Sequence, residues 1–141
     1  MAISGLVITY NEEKNIGKCI DALFEVCDEV IIVDSLSADN TVKIAEEKGA
    51  KVISQKFLGD GPQRTHGLPF CKNDWILNLD ADEFLDKDAK EFILKGKYLE
   101  GNYDAFSFRV KNFLADELID FSGWYPDHKV RFFNKKTAKP S

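Results

Sequence analysis

The stretch Glu29-Val30-Ile31-Ile32-Val33-Asp34 decides the fold. Val30 to Val33 is apolar and β-branched without a break, which is how a strand covered on both faces reads. Upstream, Ile3 to Thr9 forms another strand, carried by Ile3, Val7, Ile8 and Thr9 and ended by the polar residues Asn11 to Asn15. Between the two, Ile16, Ile20, Leu23 and Cys27 recur near the helical period, so a helix is predicted over Asn15 to Cys27. Downstream of Asp34, Ser37 or Asp39 can cap a second helix, and Gly49 stands where a left-handed residue ends one. Lys51 to Ser54 reads as a third strand, and Gly59, Gly61 and Pro62 as a loop. A short helix follows from Pro62 toward Leu68, with proline in its first turn. Trp75 to Leu79 is a fourth strand and runs into Asp80-Ala81-Asp82-Glu83. Strands and helices alternating at this spacing predict an α/β fold, with a mostly parallel sheet and right-handed crossovers.

Beyond Asp104 the pattern changes. Ala105 to Val110 and Val130 to Phe133 read as strands on either side of a Gly/Trp/Pro loop, so mixed, antiparallel pairing is expected in the second half. No internal repeat, low-complexity tract or linker interrupts the chain, and residues 1–141 are expected to form one domain. A chain of 141 residues buries roughly 68% of its unfolded surface.

The net charge of −5, with no dominant basic face, argues against a nucleic-acid partner. The only basic cluster is Lys135, Lys136 and Lys139, either a solvated tail or a weak attraction to anionic lipid heads. Cys19, Cys27 and Cys71 leave one thiol over and lack Cys-x-x-Cys spacing, which suits reduced cytoplasmic thiols. Leu6 to Tyr10, the longest apolar stretch near the start, is too short for a signal peptide or a membrane span. A cytosolic protein that touches a membrane only peripherally is the expectation. Eleven phenylalanines are many for this length, and a fraction of them is expected at a binding surface.

In open α/β sheets, ligands sit outside the carboxyl ends of the strands. Asp34 closes one strand, and Asp80 with Asp82 closes another. Carboxylates gathered there cost energy unless a cation or hydrogen bonds compensate. Two aspartates at i and i+2 can offer oxygen ligands to Mg²⁺ or Mn²⁺, ions that keep positions open for phosphate oxygens. A calcium loop starting at Asp80 fails, because Phe84 takes a ligand position and Leu85 the place that requires glycine.

Three motifs carry a family resemblance. Val7-Ile8-Thr9-Tyr10-Asn11-Glu12-Glu13 with Ile16, then Val33-Asp34-Ser35 with Ser37, Asp39 and Thr41, is similar to the N-terminal signature of family 2 glycosyltransferases. Trp75-Ile76-Leu77 leading into Leu79-Asp80-Ala81-Asp82-Glu83 resembles their Asp-x-Asp motif. Ser122-Gly123-Trp124-Tyr125-Pro126-Asp127 with Arg131-Phe132-Phe133 resembles the branch that adds glucose to the lipopolysaccharide inner core. The resemblance implies a GT-A-type nucleotide-diphospho-sugar transferase fold, a UDP-sugar donor, and a saccharide or lipid-linked saccharide acceptor. It implies inversion at the anomeric carbon and a divalent metal, Mg²⁺ or Mn²⁺. Thr9 and Tyr10 would flank the nucleobase, with Glu12 close to the nucleotide. Asp34 would contact uracil or ribose, Asp80 the ribose side, and Asp82 the metal on the diphosphate. Gln63-Arg64 resembles the segment lying over the donor, although Thr65 stands where many relatives have asparagine. Relatives usually continue past this length, so the acceptor part is expected to be incomplete.

An inverting displacement needs a general base within about 2.6–3.2 Å of the acceptor hydroxyl. Asp127 is the candidate, with Asp116, Glu117 and Asp120 as rivals, and Arg131 is a candidate to hold the diphosphate or an anionic acceptor. Plainer readings stand beside these: Asp34 as a turn cap, Tyr10 as core, Arg64 as a surface residue, and Cys71 as an inert hydrophobe. Two other functions compete with this one. A module that binds a nucleotide sugar without turning it over remains open. Nucleotidyl transfer fits poorly, because Tyr10-Asn11-Glu12-Glu13 occupies the place of a Gly-rich phosphate loop.

Overall fold

The computed structural model describes residues 2–108, 110–112 and 130–137. Strands β1 (Ile3–Thr9), β2 (Glu29–Asp34), β3 (Lys51–Ser54) and β4 (Trp75–Asp80) alternate with helices α1 (Ile16–Phe24), α2 (Thr41–Glu47) and α3 (Asp60–Gly67). These strands lie in the order β3-β2-β1-β4, and all neighbours are parallel. Register places Thr9 beside Asp34 and Ile8 beside Asp80, so the carboxyl ends of β1, β2 and β4 share one edge of the sheet.

Alternation along the strands divides the core. Ile3, Val7, Val30, Ile32, Leu77 and Leu79 face one cluster, which also takes the buried Ile16, Cys19, Ile20 and Leu23 of α1. Leu6, Ile31, Val33 and Ile76 face the other, with Cys71 and Leu68 just beyond α3. Both faces are covered, which is why the strands read as continuous apolar runs. Helix α3 lies so close to the sheet that a Cβ on Gly67 would stand 2.6 Å from Val33 Cγ2 and 2.7 Å from Leu6 Cδ1. Burial pushes the thiols of Cys19 and Cys27 well above the usual range and that of Cys71 up to about 12, in keeping with inert, apolar roles.

The second half adds β5 (Glu83–Leu85), α4 (Lys87–Leu94), β6 (Ala105–Phe106), β7 (Val110–Asn112) and β8 (Phe132–Asn134). β8 pairs antiparallel with β4, and β6 with β8, while β5 and β7 form a separate two-stranded sheet. The single strand expected over Ala105 to Val110 is therefore divided between two sheets. Phe106, Phe108 and Val110 do all enter the core at a period of two, but the hydrogen-bonding partner changes from β8 to β5 along the way. The strand expected from Val130 begins two residues later, at Phe132. Sequence reasoning assigned no element to Phe84–Asp104, where β5 ends and α4 forms. The start of α4 is capped by Asp86, whose Oδ1 accepts from the Ala89 N–H at 2.8 Å.

Candidate active site

The loop after β1 and the loop after β2 are laced together. Asn11 N donates to Ser37 Oγ and Glu12 N to Thr41 Oγ1, each at 2.8 Å. Ala38 N donates to Asn11 Oδ1 at 2.8 Å, and Glu13 N to Asp39 Oδ2 at 3.2 Å. Ser37 thus joins the loops, and neither it nor Asp39 is the N-cap of α2: that position is Asn40, which makes no side-chain cap bond, while Asp39 Oδ1 just before it accepts from Thr41 N at 2.9 Å. Gly49 takes the left-handed conformation expected of it, with φ of 90°. Asn11 also has positive φ, at 51°, and Leu36 at 61°. Asparagine is among the side chains that tolerate that region, and here its Oδ1 bonds across to Ala38 in the loop after β2.

Asp34 is the post on which this lacing hangs. It is 1% exposed; its Oδ1 accepts from Thr9 Oγ1 at 2.8 Å and Ser37 Oγ at 2.6 Å, and its Oδ2 from Ser37 N at 2.8 Å. A carboxylate has about four acceptor positions, so these bonds leave Oδ2 room for one further donor. Asp34 therefore serves as a turn cap, and the capacity for a nucleoside contact stays with it.

Tyr10 is 60% exposed and is not core. It lines two adjoining clefts, of about 170 and about 320 Å³, that open beside the ends of β1 and β2. Thr9, Glu12, Ser35, Phe57 and Asp60 line the smaller one. Burial, and then the nearby Asp82 carboxylate, raise the Glu12 carboxyl above the ordinary glutamate range, against a hydrogen bond from Asn15; Asp39 and Asp80 add to the rise. Negative charge is thus concentrated where the sheet edge meets the cleft.

Arg64 reaches across from α3. Its Nη2 donates to Asp80 Oδ1 at 3.0 Å and its Nε to Asn78 Oδ1 at 3.2 Å. The side chain is largely covered, so Arg64 is not a plain surface residue, and in this state it neutralises Asp80. Asp82 is held instead by Asn112, whose Nδ2 donates to Asp82 Oδ2. Asn112 reaches it because β5 and β7 pair with Glu83 opposite Asn112. Among the described residues, no three His, Cys, Asp or Glu side chains gather around one point. A hard cation that keeps phosphate oxygens and water needs only one or two carboxylates. Asp82, beside an unusually proton-loving Glu12, fits that requirement.

Two basic side chains do other work than expected. Arg131 is 1% exposed and forms a bidentate pair with Glu83, at 2.7 and 2.9 Å, so it does not face a diphosphate. Glu83 Oε1 in turn accepts from Asp80 N at 2.8 Å, so the pair braces the Asp80–Asp82 turn. Lys135, placed in a basic tail by the sequence, donates to the carbonyl oxygens of Cys71 and Leu68. Gln63 also differs from expectation: it is fully buried, and the local sequence carries no signal of that. Asp127, its rivals Asp116, Glu117 and Asp120, and the rings of Trp124 and Tyr125 lie outside the described residues.

The comparisons agree with this geometry. A family model for glycosyl transferase family 2 matches residues 4–138. A Rickettsia felis protein named as an uncharacterized glycosyltransferase is 48% identical over 91 residues, covering 64% of this chain and 32% of the relative. The lipopolysaccharide core biosynthesis glycosyltransferase LpsC of Rhizobium meliloti is 36% identical over 98 residues, 66% of this chain and 36% of its own length. The chain thus spans about a third of the length of these curated relatives. Among solved structures, the glucosyl-3-phosphoglycerate synthase of Mycobacterium tuberculosis, in complex with Mn²⁺, UDP and glucosyl-3-phosphoglycerate, superposes with a TM-score of 0.61 at 27% identity. That match covers 74% of this chain and 42% of the other. With a GT-A-type sheet, an Asp-x-Asp turn at its edge and a family match over nearly its whole length, the chain belongs to glycosyltransferase family 2.

Proposed function

We propose that the chain is the nucleotide-sugar-binding part of an inverting glycosyltransferase. It would move a hexose, glucose in the first instance, from a UDP-sugar to a saccharide or lipid-linked saccharide in lipopolysaccharide or other cell-surface glycan synthesis. The observation that carries this reading is the concentration of carboxylates from Glu12, Asp80 and Asp82 beside the cleft that Tyr10 lines. The relative named for lipopolysaccharide core biosynthesis supports the glycan class, and the Mn²⁺- and UDP-bound neighbour supports the donor and the ion.

In this reading Thr9 and Tyr10 flank the nucleobase, Asp34 accepts from uracil or ribose, and Asp80 turns to the ribose side. Arg64 is then drawn from Asp80 toward the diphosphate, where its fork of donors suits phosphate oxygens. Asp82 holds Mg²⁺ or Mn²⁺, which as a Lewis acid would stabilise the leaving diphosphate. Asp127 takes the proton of the acceptor hydroxyl as the new bond forms. A cytoplasmic location is part of the proposal: no described helix is long and apolar enough to cross a membrane. Peripheral contact with the inner membrane would rest on Lys136 and Lys139, since Lys135 is tied to the protein. A calorimetric screen of UDP-glucose, UDP-galactose, UDP-N-acetylglucosamine and GDP-mannose, with and without Mn²⁺, tests the reading. UDP-glucose should bind best and only weakly without the ion. Absence of binding by all four sugars would overturn it.

A further inference from the structure

Half-way along the loop between β3 and α3, Phe57 projects into solvent with 57% of its surface exposed. It is flanked by fixed backbone. Gln55 N donates to Asp34 O at 2.9 Å, and the buried Gln63 side chain clamps both neighbours of the loop. Gln63 Oε1 accepts from Leu58 N at 2.9 Å, while its Nε2 donates to Gln55 O at 2.9 Å and Ser35 Oγ at 3.1 Å. A buried amide with all of these bonds made is a rigid support. Its effect is to hold an exposed aromatic ring at a set place, which a loop serving only to connect β3 and α3 would not need.

That place is the larger cleft, which is lined by Tyr10, Ser35 and Phe57. Leu36 and Leu58, also exposed, lie in the same loops. Exposed large apolar side chains scattered singly are ordinary, but a group of them at the ligand end of an α/β sheet marks a binding surface. We propose that Phe57 is the second wall of an aromatic slot, opposite Tyr10, that takes the pyrimidine ring of the donor nucleotide, and that Gln63 is the positioning residue that holds this wall. The proposal rests on the nucleotide-sugar reading above. The slot provides stacking, and Ser35, which also lines it, offers a hydroxyl for hydrogen bonding.

Binding of uridine, UDP and Mn²⁺-pyrophosphate to the 141-residue chain tests it, by calorimetry or ligand-observed NMR. Base–aromatic stacking is worth about a 5- to 150-fold change in affinity on removal of the ring. Phe57→Ala should weaken uridine and UDP by the same factor within that range and leave Mn²⁺-pyrophosphate unchanged. Phe57→Tyr should restore both. Gln63→Met should weaken uridine in the wild-type background and add little to Phe57→Ala, because a misplaced wall and a missing one are the same loss. If the parent binds UDP and Phe57→Ala binds uridine equally well, the slot is refuted and the donor reading survives. If the parent binds neither uridine nor UDP, the donor reading falls and the slot with it.

Discussion

In one half of the main sheet, β3, β2, β1 and β4 run parallel and are four to seven residues long. In the other half, β8 and β6 run antiparallel and are two or three residues long. Within the parallel half, strand–helix–strand units join β1, β2 and β3, while β4 pairs with β1 from much farther along the chain; strand ends and loops here carry Tyr10, Glu12, Asp34 and Phe57. Among the described residues the antiparallel half contributes none of the cleft lining, yet Arg131, just before β8, pairs with Glu83, and Asn112 of the separate two-stranded sheet bonds Asp82. The Tyr10 end of the site is therefore built by local folding, whereas the Asp80–Asp82 end depends on contacts that close late in the chain. Damage to the second half should reach the Asp80–Asp82 turn before it reaches the cleft that Tyr10 lines.

The largest expected effect lies in the antiparallel half. Arg131→Met leaves Glu83 buried without its partner and should cost about 3–5 kcal/mol in urea unfolding. Glu83→Met with Arg131→Met should recover much of that loss, because no charge is then stranded. A double variant no more stable than the single one would show that the pair does not act as a unit. In the parallel half, Gly67→Ala forces a methyl against Val33 and Leu6 and should cost about 1–3 kcal/mol. If thermal unfolding shows no loss, α3 has room to move off the sheet. Next comes Asp86→Ala, which removes the α4 cap and should cost about 1 kcal/mol.

The smallest effect concerns Glu12. Its folded carboxyl titrates above the ordinary range, so the folded state favours the protonated form and loses stability as pH rises through that raised value. Glu12→Gln mimics the protonated form. It should raise the melting temperature of the metal-free chain at pH 7 by a small amount, and the difference should vanish below the ordinary glutamate range. A variant less stable than the parent at pH 7 would mean that burial and the neighbouring carboxylates do not disfavour the Glu12 charge.

These contrasts also explain what could be read from the sequence. Val30 to Val33 and Trp75 to Leu79 announce buried parallel strands, and a parallel sheet brings strand-end acids to one edge, so Asp34, Asp80 and Asp82 were found together. The lacing of Asn11 to Ser37 and Ala38 was not legible, since it depends on two loops meeting. Arg131 was misread for the same reason: its partner Glu83 lies 48 residues away, and a lone arginine beside a strand resembles a phosphate ligand. Helix α4 carries little amphipathic signal, because only Ala89 and Ile93 are buried in it. The division of Ala105 to Val110 between two sheets has no local signature, because alternation reports which face a side chain takes and not which strand it pairs with.

In the proposed reading, Asp82 links a divalent cation to the nucleotide diphosphate at an edge that is otherwise negatively charged. Calorimetry of UDP with and without Mn²⁺, on the parent chain and on Asp82→Ala, tests it most directly, with circular dichroism confirming the fold. The account predicts that Mn²⁺ strengthens UDP binding to the parent, that Asp82→Ala abolishes this enhancement, and that uridine binds both proteins alike. A native-like Asp82→Ala chain that keeps the full Mn²⁺ enhancement would contradict it.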